Sequence, residues 1–317
     1  MIAKVVVGVC FAYLVVNLFF LRLQEPTKDF PDDEEHFNAT LSNILKPRSP
    51  GSKGHDEVRD FLLLELKRLG FDTHRDEFVD EITFTNVMGV MNLGSPNYLM
   101  LTCHYDTQRK RGDNFVAATD AAVSCAMLLN MAKTLGPYLR EVFKNRGDIG
   151  LVLVFFDGHD LLELSVDGEN GLYGSRRFTE SEPLPLENIE VMIALNLIGA
   201  PNQSFRSHHE STFSLHKMMA EIEEALIAEG HMQKNHKLFH IVQDHNRDFE
   251  DDHYQFLNEG VPVMHLVPHT YPKVWNTVDD NAENLHWPTI QNMNAILRRF
   301  VHQYIENHDD YVSFRGD

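Results

Sequence analysis

The sequence predicts an α/β fold, with a doubly wound, mainly parallel central sheet and helices on both faces. Three observations predict it. Short apolar runs at 98–103, 149–156, 191–197 and 261–267 are of the kind that forms strands covered on both sides. Helical patterns at 55–69, 120–135, 212–229 and 288–305 alternate with them, the order expected of βαβ units. With 317 residues and no internal repeat, the chain favours one large domain over two small ones.

The first element is apolar. Residues 5–21, VVVGVCFAYLVVNLFFL, carry no charge between Lys4 and Arg22. At about 1.5 Å per residue the run spans roughly 25 Å, the short end of a bilayer core. A cleaved signal peptide needs small residues after the run, whereas Phe20, Leu21, Arg22 and Leu23 follow here. Residues 1–23 therefore favour a signal anchor over a cleaved signal peptide. Lys4, Arg22 and Lys28 do not settle its orientation. Asn38-Ala-Thr40 and Asn202-Gln-Ser204 are glycosylation acceptors that place the body on the lumenal side of ER or Golgi membranes, or outside the cell if the segment is cut. Membrane contact is expected only through residues 5–21.

Residues 24–37, rich in acids and carrying two prolines, suggest a solvated linker, leaving 38–317 as the folded domain. At 55–69, Val58, Phe61, Leu62, Leu64, Leu66 and Leu69 form an amphipathic pattern stopped by Gly70. Residues 78–91 hold two β-rich stretches around 83–90. Cys103, at a strand end, and Cys125, in the first turns of the next helix, are the cysteines outside the apolar run. A bridge between them would contribute about 3 kcal/mol, and two buried thiols fit the sequence equally well.

Composition removes several function classes. Apolar residues at 43% and charged residues at 24% provide for a folded core. A net charge of −19 argues against a nucleic-acid partner, since phosphate binding needs clustered positive charge. Three cysteines exclude a disulfide miniprotein and a Cys-rich zinc module.

Doubly wound sheets bind ligands beyond the carboxyl ends of their strands. There the chain carries His104-Tyr105-Asp106, Asp157-Gly158-His159-Asp160, Asn196 before Gly199-Ala200-Pro201, and the stretch from Pro268 to Asn276. Asp120 opens a helix nearby. Each has a plain structural reading: Asp120 as a helix cap, Asp157-Gly158 as a turn, His104 and His265 as core histidines. Their joint placement at strand ends points instead to a metal site with O and N ligands.

Seven stretches carry a family resemblance: CHYDTQ at 103–108, ATDAAVSCAMLL at 118–129, LVLVFFDG at 151–158, LYGSRRF at 172–178, LNLIGAPNQSF at 195–205, EDDHYQFLNEGVPVMHLVP at 250–268 and YPKVWNTVDDNAENL at 271–285. Together they resemble the animal glutaminyl-peptide cyclotransferases, relatives of the zinc aminopeptidases of the same α/β fold. The resemblance implies that fold, a Cys103–Cys125 disulfide, and conversion of N-terminal Gln or Glu to pyroglutamate. One zinc held by Asp, Glu and His would polarise the substrate carbonyl, while a glutamate shuttles the proton.

Residue by residue, the family's ligands fall on Asp120, Asp160 and Asn276, with Asp in place of Glu and Asn in place of His. Its proton shuttle falls on His159 and its catalytic aspartate on Asn196, while Asp251 matches directly. The pocket residues are His265, Tyr271 and Trp275, and a second pocket tryptophan is replaced by Leu164 or Ser165. His104 is a further candidate ligand, because two-zinc aminopeptidases use the equivalent histidine. Four carboxylates thus become two, and each lost charge weakens cation binding by an amount on the order of kcal/mol. The resemblance supports a cyclotransferase using His159 as shuttle, or an impaired relative that binds N-terminal Gln/Glu peptides or lumenal proteins. A zinc aminopeptidase fits less well, since Asn196 and His159 stand where it needs carboxylates.

Overall fold

The computed structural model describes residues 30–80, 82–108, 114–159, 171–232, 237–244 and 250–308. The apolar run at 5–21 lies outside them, and among the described residues no helix is long and apolar enough to cross a membrane. In chain order the elements are α1 (Glu34–Ile44), α2 (Lys53–Arg68), β1 (Asp72–Asp80), β2 (Ile82–Met91), β3 (Tyr98–His104), α3 (Val123–Val142), β4 (Gly150–Phe156), α4 (Tyr173–Ser181), β5 (Ile189–Leu195), β6 (Phe205–Ser207), α5 (Phe213–Glu229), β7 (Phe239–Gln243), α6 (His253–Asn258), β8 (Val263–Leu266) and α7 (Trp287–Glu306).

The main sheet runs β1-β2-β4-β3-β5-β8. Strands β4, β3, β5 and β8 are mutually parallel, with β8 at one edge, and β2 joins β4 antiparallel with β1 at the other edge. Alternate strand residues Met88, Met100, Val152 and Val154 pack against Phe178 of α4 and Phe256 of α6 on one face. On the other, Leu66 of α2 closes on Gly89, α3 lies on β3, and α1 and α7 pack on α3. The mainly parallel sheet with helices on both faces is the architecture the apolar runs predict. A second, two-stranded parallel sheet pairs β6 with β7.

Three boundaries differ from expectation. Residues 34–37, expected in the linker, open α1: the Asp33 carboxylate caps the His36 N–H at 2.9 Å, and Glu34 and Glu35 sit in the first turn, where the positive helix end favours acids. Burial of Phe37, Leu41 and Ile44 ties that helix to the core. Asp120, read as a helix opener, lies outside α3 in an irregular turn with φ −118° and ψ 72°. The third is the end of α3, expected near Leu135, which runs on through Pro137 to Val142 with Leu135, Tyr138 and Leu139 buried.

Candidate functional site

The parallel strands deliver side chains to one end of the sheet. His104 is the last residue of β3, Asp157-Gly158-His159 follows β4, Asn196 follows β5, and His265 lies within β8. The turn after β4 needs glycine, since Gly158 has φ 67° and a Cβ there would lie 2.8 Å from the Phe84 ring. Asp157 is structural, as its turn reading suggested. Its buried carboxylate accepts from His55 Nε2 at 2.8 Å and from the Thr85 N–H at 2.7 Å. The His159 N–H beyond it donates to Asp106 Oδ1 at 3.1 Å, fixing where the imidazole starts.

Asp120 sits on a clamped loop. Buried Arg48 donates to the carbonyls of Tyr105 at 2.6 Å, Ala117 at 3.1 Å and Val116. From the far end of the chain Asp280 accepts the Thr119 N–H at 2.8 Å, and its carbonyl accepts the Ala118 N–H at 3.0 Å. Burial raises the Asp280 carboxyl to a pKa of about 6. So held, Asp120 is only 4% exposed, and both of its oxygens are engaged. His104 Nε2 donates to Oδ1 at 3.2 Å and Trp275 Nε1 to Oδ2 at 3.0 Å.

The imidazoles of His104 and His159 stack with centroids 3.9 Å apart. Burial disfavours charge on His104, but Asp106 and Asp120 outweigh it and hold its pKa well above the usual imidazole value. For His159, burial and the neighbouring His104 act downward, yet Asp252 and Asp251 lift it to about 9. Its Nδ1 lies 3.0 Å from Asp252 Oδ2 and 3.6 Å from Asp251 Oδ1.

Asp251 joins the remaining residues. Its Oδ2 accepts from His265 Nε2 at 2.8 Å and from the Asn196 amide at 3.1 Å, and its Oδ1 accepts the Asp252 N–H at 2.7 Å. Against the cost of burial, His265 and His159 keep this carboxyl well below the usual range. Behind it His253 stacks on His265 at 4.1 Å, and burial together with His265 drives the His253 pKa far down.

The structure thus brings together His104, Asp120, His159, Asn196, Asp251, His265 and Trp275 through direct contacts, and Tyr271 meets Trp275 edge-on at 4.8 Å. Asn276 follows Trp275 with φ 60°, and its Oδ1 is buried with no hydrogen-bond partner. Asp160, Leu164 and Ser165 lie outside the described residues. The capping and core-histidine readings of Asp120 and His104 give way, since each engages the other. Cys103 and Cys125 are adjacent, Sγ atoms 2.8 Å apart, and both are free thiols, so the bridge implied by the resemblance is not formed here. Asn38 and Asn202 are exposed.

Sequence reasoning passed over Asp252 and Arg48, which no periodicity marks: one is the second of a doubled Asp before a short helix, and the other lies in the Pro-rich stretch KPRSP.

The comparisons agree with this architecture. The model of Peptidase family M28 matches residues 86–301. A glutaminyl-peptide cyclotransferase of Drosophila melanogaster is 33% identical over 291 residues, covering 86% of this chain and 81% of that protein. A glutaminyl-peptide cyclotransferase-like protein of Bos taurus is 35% identical over 293 residues, covering 86% and 76%. Among solved structures, Macrostomum lignano glutaminyl cyclase superposes with a TM-score of 0.78 at 27% identity, covering 87% of this chain and 89% of that one. A Zn-dependent exopeptidase from Parabacteroides distasonis shares the fold, with a TM-score of 0.69 at 19% identity over 88% of this chain and 100% of that one. On its sheet, its strand-end residues and these relatives, the chain belongs to peptidase family M28 and, within it, to the glutaminyl-peptide cyclotransferases.

Proposed function

We propose that this chain is an impaired glutaminyl cyclase that still receives peptide N-termini beside Trp275. One observation carries the reading: the Asn196 amide donates to Asp251 where the family keeps a carboxylate. An amide at that point neither takes nor passes a proton at neutral pH, so the acid–base relay ends there. The implied zinc is poorly served as well. Of its expected ligands the described residues supply Asp120, the neutral Asn276 and, as a substitute, His104, which donates to Asp120. Those donors do not fit a three-ligand zinc, which seldom accepts a neutral amide oxygen.

Binding is better supported than turnover. The buried Asp120 carboxylate suits an α-ammonium group, and Trp275, 38% exposed beside Tyr271, offers an apolar wall for the peptide behind it. The relatives' activity gives the substrate class, peptides beginning with Gln or Glu. Calorimetry should show the full chain binding a Gln-initiated peptide and not its N-acetylated form, with mass spectrometry detecting no ammonia loss in excess zinc. Cyclisation at a rate typical of the family would overturn impairment. The combined change Asn196→Asp, His159→Glu and Asn276→His should switch turnover on.

A second reading, an active cyclase, draws support from His159, whose contact with Asp252 orients the ring as general acid–base histidines are oriented. Zinc-dependent turnover abolished in His159→Gln would establish it. We also place the domain in the secretory pathway, supported by the exposed acceptors Asn38 and Asn202 and by the adjacency of Cys103 and Cys125. A mass shift on endoglycosidase treatment and thiol counting in the denatured chain test this.

A further inference from the structure

The mismatch at Asp120 and Asn276 leaves open where a cation would sit, and a different trio answers it. His159 Nδ1, one oxygen of Asp251 and one of Asp252 all lie within 4.8 Å of one another, the one such group among the described residues. The two closer spacings, 3.0 and 3.6 Å, approximate the edges of a small coordination polyhedron. We propose that this chain carries a divalent transition-metal site at His159, Asp251 and Asp252, a set distinct from the Asp120, Asp160 and Asn276 that the family resemblance implies.

Four features support the assignment. The set has borderline chemistry, one imidazole with two carboxylates, suited to Zn²⁺, Co²⁺ or Mn²⁺. Its charge closes, because a neutral imidazole, two carboxylates and a divalent ion sum to zero in a place where unbalanced charge is costly. Asp252 is 2% exposed, and its Oδ1 has no hydrogen-bond partner, an unsatisfied carboxylate oxygen that a chelated ion would use. The outer contacts are those of a metal site. His265 and Asn196 hold Asp251 through Oδ2 and turn Oδ1 toward His159, while Asp106 holds the His159 main chain. The substitution that removes the family's shuttle thereby supplies an imidazole ligand, while His104 stacks on His159 and carries the contact to Asp120.

The test reads metal without turnover or peptide, so its failure leaves the peptide-binding proposal standing. Full-length protein stripped by chelator and titrated with Co²⁺ should bind one equivalent with visible ligand-field bands. Asp252→Asn and His159→Gln should weaken that binding by at least about tenfold, while Asp120→Asn and Asn276→Ala leave it unchanged. Absence of Co²⁺ uptake by the unaltered protein, or a loss that follows Asp120→Asn instead, overturns the proposal. Should Asp252→Asn not fold, electron spin-echo modulation of the Mn²⁺-loaded protein decides. A single imidazole nitrogen coupling that persists in His104→Gln supports the site, and its disappearance there refutes it.

Discussion

His159 and His104 lie face to face, their ring planes 11° from parallel, each flanked by two carboxylates: Asp106 and Asp120 beside one ring, Asp251 and Asp252 beside the other. Two buried imidazoles with raised proton affinity repel each other when stacked, so the flanking acids hold the pair together. In metal-free protein, removing His159 leaves the buried Asp252 carboxylate without its imidazole partner, which costs about 3 kcal/mol. Urea unfolding of His159→Gln, Asp252→Asn and the double variant should give a coupling of about 1–3 kcal/mol. Additive losses would show that the contact is not energetic.

Arg48 offers a second measurement. It is buried, and its guanidinium satisfies the carbonyls of Tyr105, Val116 and Ala117 at once. Arg48→Met should destabilise the fold by at least about 3 kcal/mol, since several buried acceptors lose their donor. Arg48→Lys keeps the charge and loses the planar fork, so it should recover only part of this. In a Trp287→Phe background the Trp275 emission should also shift red, as the Asp120 loop that its indole N–H grips becomes looser.

A third prediction concerns the turn after β4. Gly158→Ala must adopt a left-handed φ and meet Phe84, and should cost roughly 2 kcal/mol or more. Gly158→Asn, which tolerates that φ better, should cost less in the same denaturant series.

The fourth is a pH effect away from the cleft. His308 donates to Asp148 at 2.8 Å and to Glu190 at 2.9 Å. Burial acts to lower its pKa, but Glu190 and Asp148 raise it above the ordinary value. A raised imidazole pKa adds stability that is complete below about pH 6.5 and is lost as pH climbs through the folded value. The stability difference between the unaltered chain and His308→Gln should therefore shrink as pH rises above about 6.5. A constant difference would assign His308 a packing role alone.

The sheet was legible because its inner strands are buried on both faces and so read as uninterrupted apolar runs. β1 was not, since its burial pattern is almost wholly exposed and its sequence reads as a charged loop. Acids also misled at 34–37, where the charge that suggests solvent is a helix's preferred first turn. At the site, residues fixed by strand ends, such as His104 and Asn196, were found from their place after an apolar run. Asp252 and Arg48 act from a short helix entry and a loop, where no periodicity marks a role, and only long-range pairing reveals them.

The clamp on the Asp120 loop has a consequence for how the molecule is made. Its two jaws are far apart along the polypeptide: Arg48 is 69 residues before Ala117, and Asp280 is 161 residues after Thr119. During synthesis the loop cannot be finished until nearly the whole domain has left the ribosome, so a nascent chain carries its cleft unassembled. Stalled or truncated products that keep most of the sheet would remain blind to ligand, and competence to bind arrives late, once Asp280 has emerged.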